Sequence, residues 1–225
     1  MSPDTVVEEC VAFTSEGLRL EGVLAYLESQ PVPHSAVLLL CPHPHLGGNM
    51  DNNVVRHLAR RAAEDGCVTL RFNYRGVGNS ELVLPDGLSL YAYWEDMERE
   101  HRYEVLLPDA LAAAEFLIQA SGVQRWSIVG YSLGALLAGM VARHARPDRI
   151  VAISPPVRKV PLPPDYGDGV PKTFVFGDAD FTLDPEAFRR DYDLLQEPKS
   201  FLCLSGMDHF FRKFEERLYL SIRVP

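Results

Sequence analysis

The feature that most constrains this chain is an alternation of short, uninterrupted apolar runs with longer segments of helical periodicity. Ala36-Val37-Leu38-Leu39-Leu40 is continuously apolar, the pattern of a strand covered on both faces. From Asp51 onward Val54, Val55, Leu58, Ala59, Ala62 and Ala63 recur at helical spacing, and Gly66 marks the stop. The alternation continues with strand Cys67 to Asn73, a loop, a helix from about Pro108 to Ala120, strand Trp126 to Gly130, helix Leu133 to Ala145 and strand Ile150 to Ser154. Strand Thr173 to Phe176, helix Pro185 to Gln196, strand Phe201 to Leu204 and a last helix from about Phe210 complete it. Strands alternating with helices of this length specify right-handed βαβ units, so the expected fold is α/β, a doubly wound, mostly parallel sheet with helices on both faces. Val6 to Thr14 and Leu18 to Leu27, joined across Ser15-Glu16-Gly17, read as an antiparallel strand pair at one edge.

With 225 residues, 47% hydrophobic and 24% charged, the chain is expected to form one domain over 1–225. Asp plus Glu is 31 against 22 Lys plus Arg, a net charge of -9 that repels a phosphate backbone and argues against nucleic acid as a partner. The densest apolar stretch, Ser127 to Val141, is broken by Gly130, Ser132, Gly134 and Gly139, too short and too interrupted for a membrane span. Met1-Ser2-Pro3-Asp4 carries no basic or apolar leader pattern, so a cytoplasmic address is expected by default. Cys10, Cys41, Cys67 and Cys203 lack C-x-x-C spacing and read as buried thiols. Two connectors stand out. Residues 81–102 carry Tyr91, Tyr93 and Trp94 among charges and read as a lid-like insertion over the crevice, with Trp94 a substrate-binding candidate. The proline-rich stretch Pro155 to Pro171 is too short for a large cap domain, which points to an open crevice and small substrates.

In such sheets ligands bind beyond the carboxyl ends of the strands. There, between an apolar strand and an apolar helix, stands Gly130-Tyr131-Ser132-Leu133-Gly134, a match to G-x-S-x-G. A sharp strand-to-helix turn lifts the serine hydroxyl above the sheet, the flanking glycines let backbones pack closely, and the helix aims its positive end at any anion formed there. The alternative is a plain small-residue turn. Serine needs a base, and the base needs an orienting acid. His209 follows the last strand through Ser205-Gly206-Met207-Asp208, and Asp180 follows the preceding strand through Gly177-Asp178-Ala179, in the order serine, acid, histidine. Asp178 competes for the acid role but stands close enough to the strand end to brace the Gly177 turn; His209 could instead cap a helix.

An oxyanion needs two donors. One is expected from the backbone N–H of Leu133 and the other from the loop Cys41-Pro42-His43-Pro44-His45-Leu46-Gly47-Gly48, where the prolines have no N–H and His43 comes first, His45 second. His45 and Tyr131 join Trp94 as substrate-binding candidates. His43 and His45 also spell H-x-H, but no acidic ligand follows in the loop and no metal is expected. Gly76-x-Gly78 lacks the third glycine and the helix of a dinucleotide fingerprint, so no cofactor is expected.

With these residues in view the chain resembles the alpha/beta-hydrolase superfamily, and within it the small lidless bacterial hydrolases related to dienelactone hydrolase. Pro42-His43-Pro44 with Gly47-Gly48 and Met50-Asp51-Asn52-Asn53 looks like that group's H-P-H-P-x-x-G-G-x-M-x-N loop, with Cys41 where the group usually has histidine. Arg71 to Ser80 is similar to its R-F-N-F-R-G-V-G-x-S segment, and Gly177-Asp178-Ala179-Asp180 and Asp208-His209-Phe210-Phe211 to its acid and histidine motifs. The resemblance implies a triad of Ser132, Asp180 and His209. Dienelactone hydrolase itself resembles the chain less at the nucleophile, where it has cysteine; the superfamily's dehalogenases and epoxide hydrolases have aspartate there, so both of those chemistries are disfavoured. The expected function is a serine hydrolase cleaving a small ester or related acyl substrate. The same parts would also serve an acyltransferase, a peptidase or a non-catalytic binding member of the fold.

Overall fold

The computed structural model describes residues 5–30 and 32–223. Residues 1–4, on which the expectation about the chain's start rests, lie outside them. One eight-stranded sheet is ordered β1-β2-β4-β3-β5-β6-β7-β8. β1 (Val6–Ser15) and β2 (Leu18–Leu27) form the expected antiparallel pair, and β2 joins β4 (Val68–Phe72) antiparallel. From β4 onward every neighbour is parallel: β3 (Ala36–Leu40), β5 (Trp126–Tyr131), β6 (Arg149–Ile153), β7 (Lys172–Gly177) and β8 (Lys199–Leu204). All residues of β3, β4 and β5 are buried, which is why β3 reads as a continuous apolar run; β4 buries Thr69 and Arg71 among its apolar residues.

The chain runs from β3 to β4 on one side and returns to β5 on the other, so the order reverses between β3 and β5. Leu40 lies opposite Gly130 in that pair, and the loop after β3 therefore leaves the sheet beside the serine turn. The helices are α1 (Asn53–Glu64), α2 (Leu90–Glu100), α3 (Leu107–Ser121), α4 (Leu133–Ala145), α5 (Pro185–Leu194) and α6 (Glu215–Ile222). The α1 stripe named from the sequence is the buried one, and Asn52 caps the helix through the Val54 N–H. No helix among the described residues is long and apolar enough to cross a membrane.

Three expectations need correction. The loop expected between Asn73 and Pro108 contains a helix, because Ser89 accepts the Ala92 N–H and starts α2, whose Trp94 and Met97 share a buried face. The last helix begins at Glu215 rather than near Phe210, since Phe211 and Lys213 take positive φ (51° and 70°) that an α-helix does not admit. Cys41 and Cys67 are buried, but Cys10 and Cys203 are exposed, because each sits on an edge strand with one open face.

Candidate functional site

Ser132 follows β5 directly and stands at the N-terminus of α4 with φ 56° and ψ -114°, a strained conformation for a residue with a Cβ. Its N–H donates to Ile153 O on β6 (2.8 Å), and its hydroxyl is not spent on capping the helix. Two glycines make the turn possible. A Cβ on Gly130 would collide with the backbone of Gly134, and one on Gly134 with the carbonyls of Leu40 and Cys41, so helix, strand and turn close to distances only glycine permits.

Across the crevice His209 is buried in the loop after β8, and its Nδ1 lies 3.0 and 3.2 Å from the two carboxylate oxygens of Asp180. Burial raises the Asp180 carboxyl, but hydrogen bonds from His209 and Thr182, together with the attraction of the imidazole, outweigh it and hold the group below the usual carboxylate range. An ionised Asp180 assigns the proton to Nδ1 and leaves Nε2 as the acceptor. Thr182 donates to Asp180 Oδ1 through both its N–H (2.8 Å) and its hydroxyl (2.7 Å), and Oγ1 is also 3.2 Å from His209 Nδ1. Asp178 is exposed and accepts the Ser205 hydroxyl (2.9 Å) and the Gly206 N–H (2.8 Å), which keep its carboxyl low. It braces the turn after β8 rather than the Gly177 turn. The same two loops are tied by Asp178 N–H to Leu204 O (3.1 Å) and Ala179 N–H to Met207 O (3.0 Å).

In the loop after β3, neither the His43 N–H nor the Leu133 N–H donates to a backbone carbonyl among the described residues. The His43 ring is turned by the His45 N–H, which donates to Nδ1 (3.1 Å). Burial, assisted by His45 and Lys159, pushes this imidazole down to about 4 against the opposing pull of Glu98, so it is neutral. Segment 71–80 pins this region to the sheet. Asn73 Oδ1 accepts the Met50 N–H (2.8 Å), Ser80 donates to Asn73 O (2.8 Å), and Arg75 forks onto the fully buried Asp109 (2.7 and 3.1 Å). Cys41, at the first histidine position of the resembling motif, donates its thiol to Phe72 O (3.1 Å), and burial pushes it up to about 12.

Ser132, Leu133, His43 and His209 line one cavity of about 240 Å³. The three substrate-binding candidates do not line it. Trp94 is buried with its ring edge-on to His43 (6.1 Å between centroids), His45 packs against Tyr91 (4.5 Å), and Tyr131 donates its hydroxyl to His209 O (2.7 Å). Residues missed in the sequence complete the walls, chiefly Glu98, Tyr103, Lys159, Phe181 and Thr182. Asp180-x-Thr182 has the spacing of an Asx turn and could have disclosed the threonine. Glu98 left no comparable signal, being one acid among several on α2.

Comparisons with known proteins identify the fold. The family described as alpha/beta hydrolase fold matches residues 37–214. An uncharacterized protein of Rickettsia prowazekii is 31% identical over 215 residues, covering 88% of this chain and 80% of that protein. An esterase of Thermotoga maritima is 30% identical over 131 residues, 56% of this chain but 28% of the esterase. Among solved structures, an a/b serine hydrolase without lid from Xanthomonas campestris superposes with a TM-score of 0.78 at 22% identity, covering 96% of this chain and 92% of that one. The reversal of strand order between β3 and β5, the strained serine turn above it and the match across most of the chain lead to one conclusion: this protein belongs to the alpha/beta hydrolase family.

Proposed function

We propose that the protein is a serine hydrolase that cleaves small carboxylic esters or related acyl substrates through an acyl-enzyme, with Ser132 as nucleophile, His209 as base and Asp180 as orienting acid. The observation that carries this is the His209 Nδ1 contact with an ionised, buried Asp180 at the rim of the cavity that Ser132 also lines. Ser132 Oγ attacks the acyl carbon as its proton passes to His209 Nε2. The developing oxyanion takes hydrogen bonds from the N–H groups of Leu133 and His43, the latter kept available because the loop is tied down by Asn73. His209 returns the proton to the leaving oxygen, the alcohol departs, and a water activated by the same imidazole releases the acid. Every step uses groups of the chain and water.

The size of the cavity favours short acyl or alcohol parts, and the esterase relative supports ester chemistry. Incubation with a fluorophosphonate probe is expected to label Ser132, located by mass spectrometry, and p-nitrophenyl esters of graded length are expected to show a short-chain optimum. Ser132→Ala should abolish both. Folded protein that is neither labelled nor active on any ester of the series would remove this reading and leave the binding-module alternative.

A further inference from the structure

The cavity has a second polar wall that acyl transfer does not use. His43 is 5% exposed, and because its Nδ1 accepts the His45 N–H, the ring proton sits on Nε2. Among the described residues no group hydrogen-bonds to that buried Nε2. Glu98 Oε2 comes closest at 3.4 Å, outside hydrogen-bonding geometry, and since the imidazole is neutral the approach is not an ion pair. A buried donor left without an acceptor costs about 1–3 kcal/mol, and such groups call for an explanation, a bound partner among them. Glu98 faces the same space from α2. Burial raises its carboxyl, but Lys159 (2.8 Å, to Oε1) and the Tyr103 hydroxyl (2.7 Å, to Oε2) hold it ionised, and each oxygen keeps a further lone pair.

Four kinds of substrate group can be weighed against this wall. An alkyl chain leaves the His43 donor and the Glu98 lone pairs unmet. A carboxylate meets the Nε2–H, and Lys159 and Arg158 on the same wall soften the local charge, but at this position its oxygens lie directly against Glu98 Oε2, which is 3.4 Å from Nε2 and has no hydrogen to share. An ammonium meets Glu98 but turns another donor toward His43. A hydroxyl satisfies both, accepting from Nε2–H and donating to the carboxylate, once a small shift of the Glu98 side chain opens Nε2, which is closed to a water-sized group as it stands. We propose that His43 Nε2 and Glu98 form a hydroxyl-recognition subsite, so that the preferred substrates are small esters carrying a hydroxyl on the acyl or the alcohol part. This rests on the serine hydrolase reading and narrows it to a substrate class.

The test compares matched esters: p-nitrophenyl 3-hydroxybutyrate against p-nitrophenyl butyrate and p-nitrophenyl hemisuccinate, and 2-hydroxyethyl butyrate against propyl butyrate. At least one hydroxyl ester is expected to exceed its deoxy partner about tenfold or more in kcat/KM, as a charge-assisted hydrogen bond gained at the site implies. That ratio should fall toward one in Glu98→Met, and in His43→Asn, which keeps an acceptor for the His45 N–H but loses the distal donor. Ratios near or below one for both pairs in the wild-type protein, or a preference for the hemisuccinate, overturn the proposal. Binding of 3-hydroxybutyramide against butyramide, and of N-(2-hydroxyethyl)butyramide against N-propylbutyramide, followed by NMR titration, reads the subsite without turnover. If Ser132 fails to react with the probe, the hydrolase reading falls, while tighter binding of either hydroxyamide than its deoxy partner still supports the subsite and equal affinities within both pairs still refute it.

Discussion

Tyr131→Phe separates a residue that touches substrate from one that holds the machinery in place. The sequence suggested the former; in the structure the ring is buried and its hydroxyl donates to the His209 carbonyl at 2.7 Å. Phenylalanine keeps the ring's contacts with His209 and Phe211 (centroids 5.5 and 6.3 Å apart) and deletes only the donor. A buried carbonyl that loses its partner costs about 1–3 kcal/mol. For a chain of this size each kcal/mol lowers Tm by roughly 2–4 °C, so a fall of roughly 6 °C is expected by thermal denaturation. The freed histidine loop also misplaces the imidazole, and fractions of an ångström there should lower kcat by roughly tenfold. KM should stay close to the wild-type value. A melting temperature within about 1 °C of wild type, combined with a raised KM and an unchanged kcat, would refute the reasoning and return Tyr131 to the substrate.

Asp180→Asn is expected to lower kcat by about three to four orders of magnitude, because an amide fixes the wrong imidazole tautomer, whereas Asp178→Asn should stay within about threefold; steady-state kinetics on p-nitrophenyl acetate decide between the two acids, and equal losses would contradict the assignment. Gly134→Ala drives a methyl into the Leu40 and Cys41 carbonyls, backbone that cannot rotate away, and should cost at least about 1–3 kcal/mol together with part of the labelling rate at Ser132. Wild-type melting and labelling in this variant would remove the close approach from the argument. His43, with its folded value depressed from the usual 6.5 to about 4, stabilises fully only above pH 6.5, and its contribution declines as the pH falls toward 4 while the unfolded chain takes up the proton. Unfolding free energies from denaturant titrations should therefore fall further between pH 7 and 4.5 for the wild-type protein than for His43→Asn, by up to roughly 3 kcal/mol, and parallel declines would refute this.

The core of the fold was legible because its signals are local and repeated. β3 and β5 are covered on both faces and so appear as largely apolar runs, and α1 carries its buried stripe in plain register. The α2 helix was hidden because only Trp94 and Met97 on it are buried, too few to impose a period on a segment rich in charges. The late start of α6 depends on positive φ at Phe211 and Lys213, which no residue type there announces. For the candidate site, the serine turn was readable from its glycines, and chain order nominated Asp180 and His209. The walls were not readable, because Glu98, Lys159 and Phe181 come from separate connectors that meet only through the packing of α2 and the strand ends. Trp94, His45 and Tyr131 were nominated by position alone, and in the structure each packs behind the cavity wall, since a polar or aromatic residue beside a motif can as easily brace the motif as face the ligand.

The bonds that lace the loop after β7 to the loop after β8 have a dynamic corollary. With the two loops joined by four hydrogen bonds, a displacement of this rim is expected to carry Asp180 and His209 together and to preserve their mutual spacing. Ser132 is held separately, by its N–H to Ile153 O and by the close approach of Gly134 to the end of β3. Under the proposed mechanism, variants that loosen the rim should therefore change the gap between serine and imidazole more than the pairing of imidazole and carboxylate.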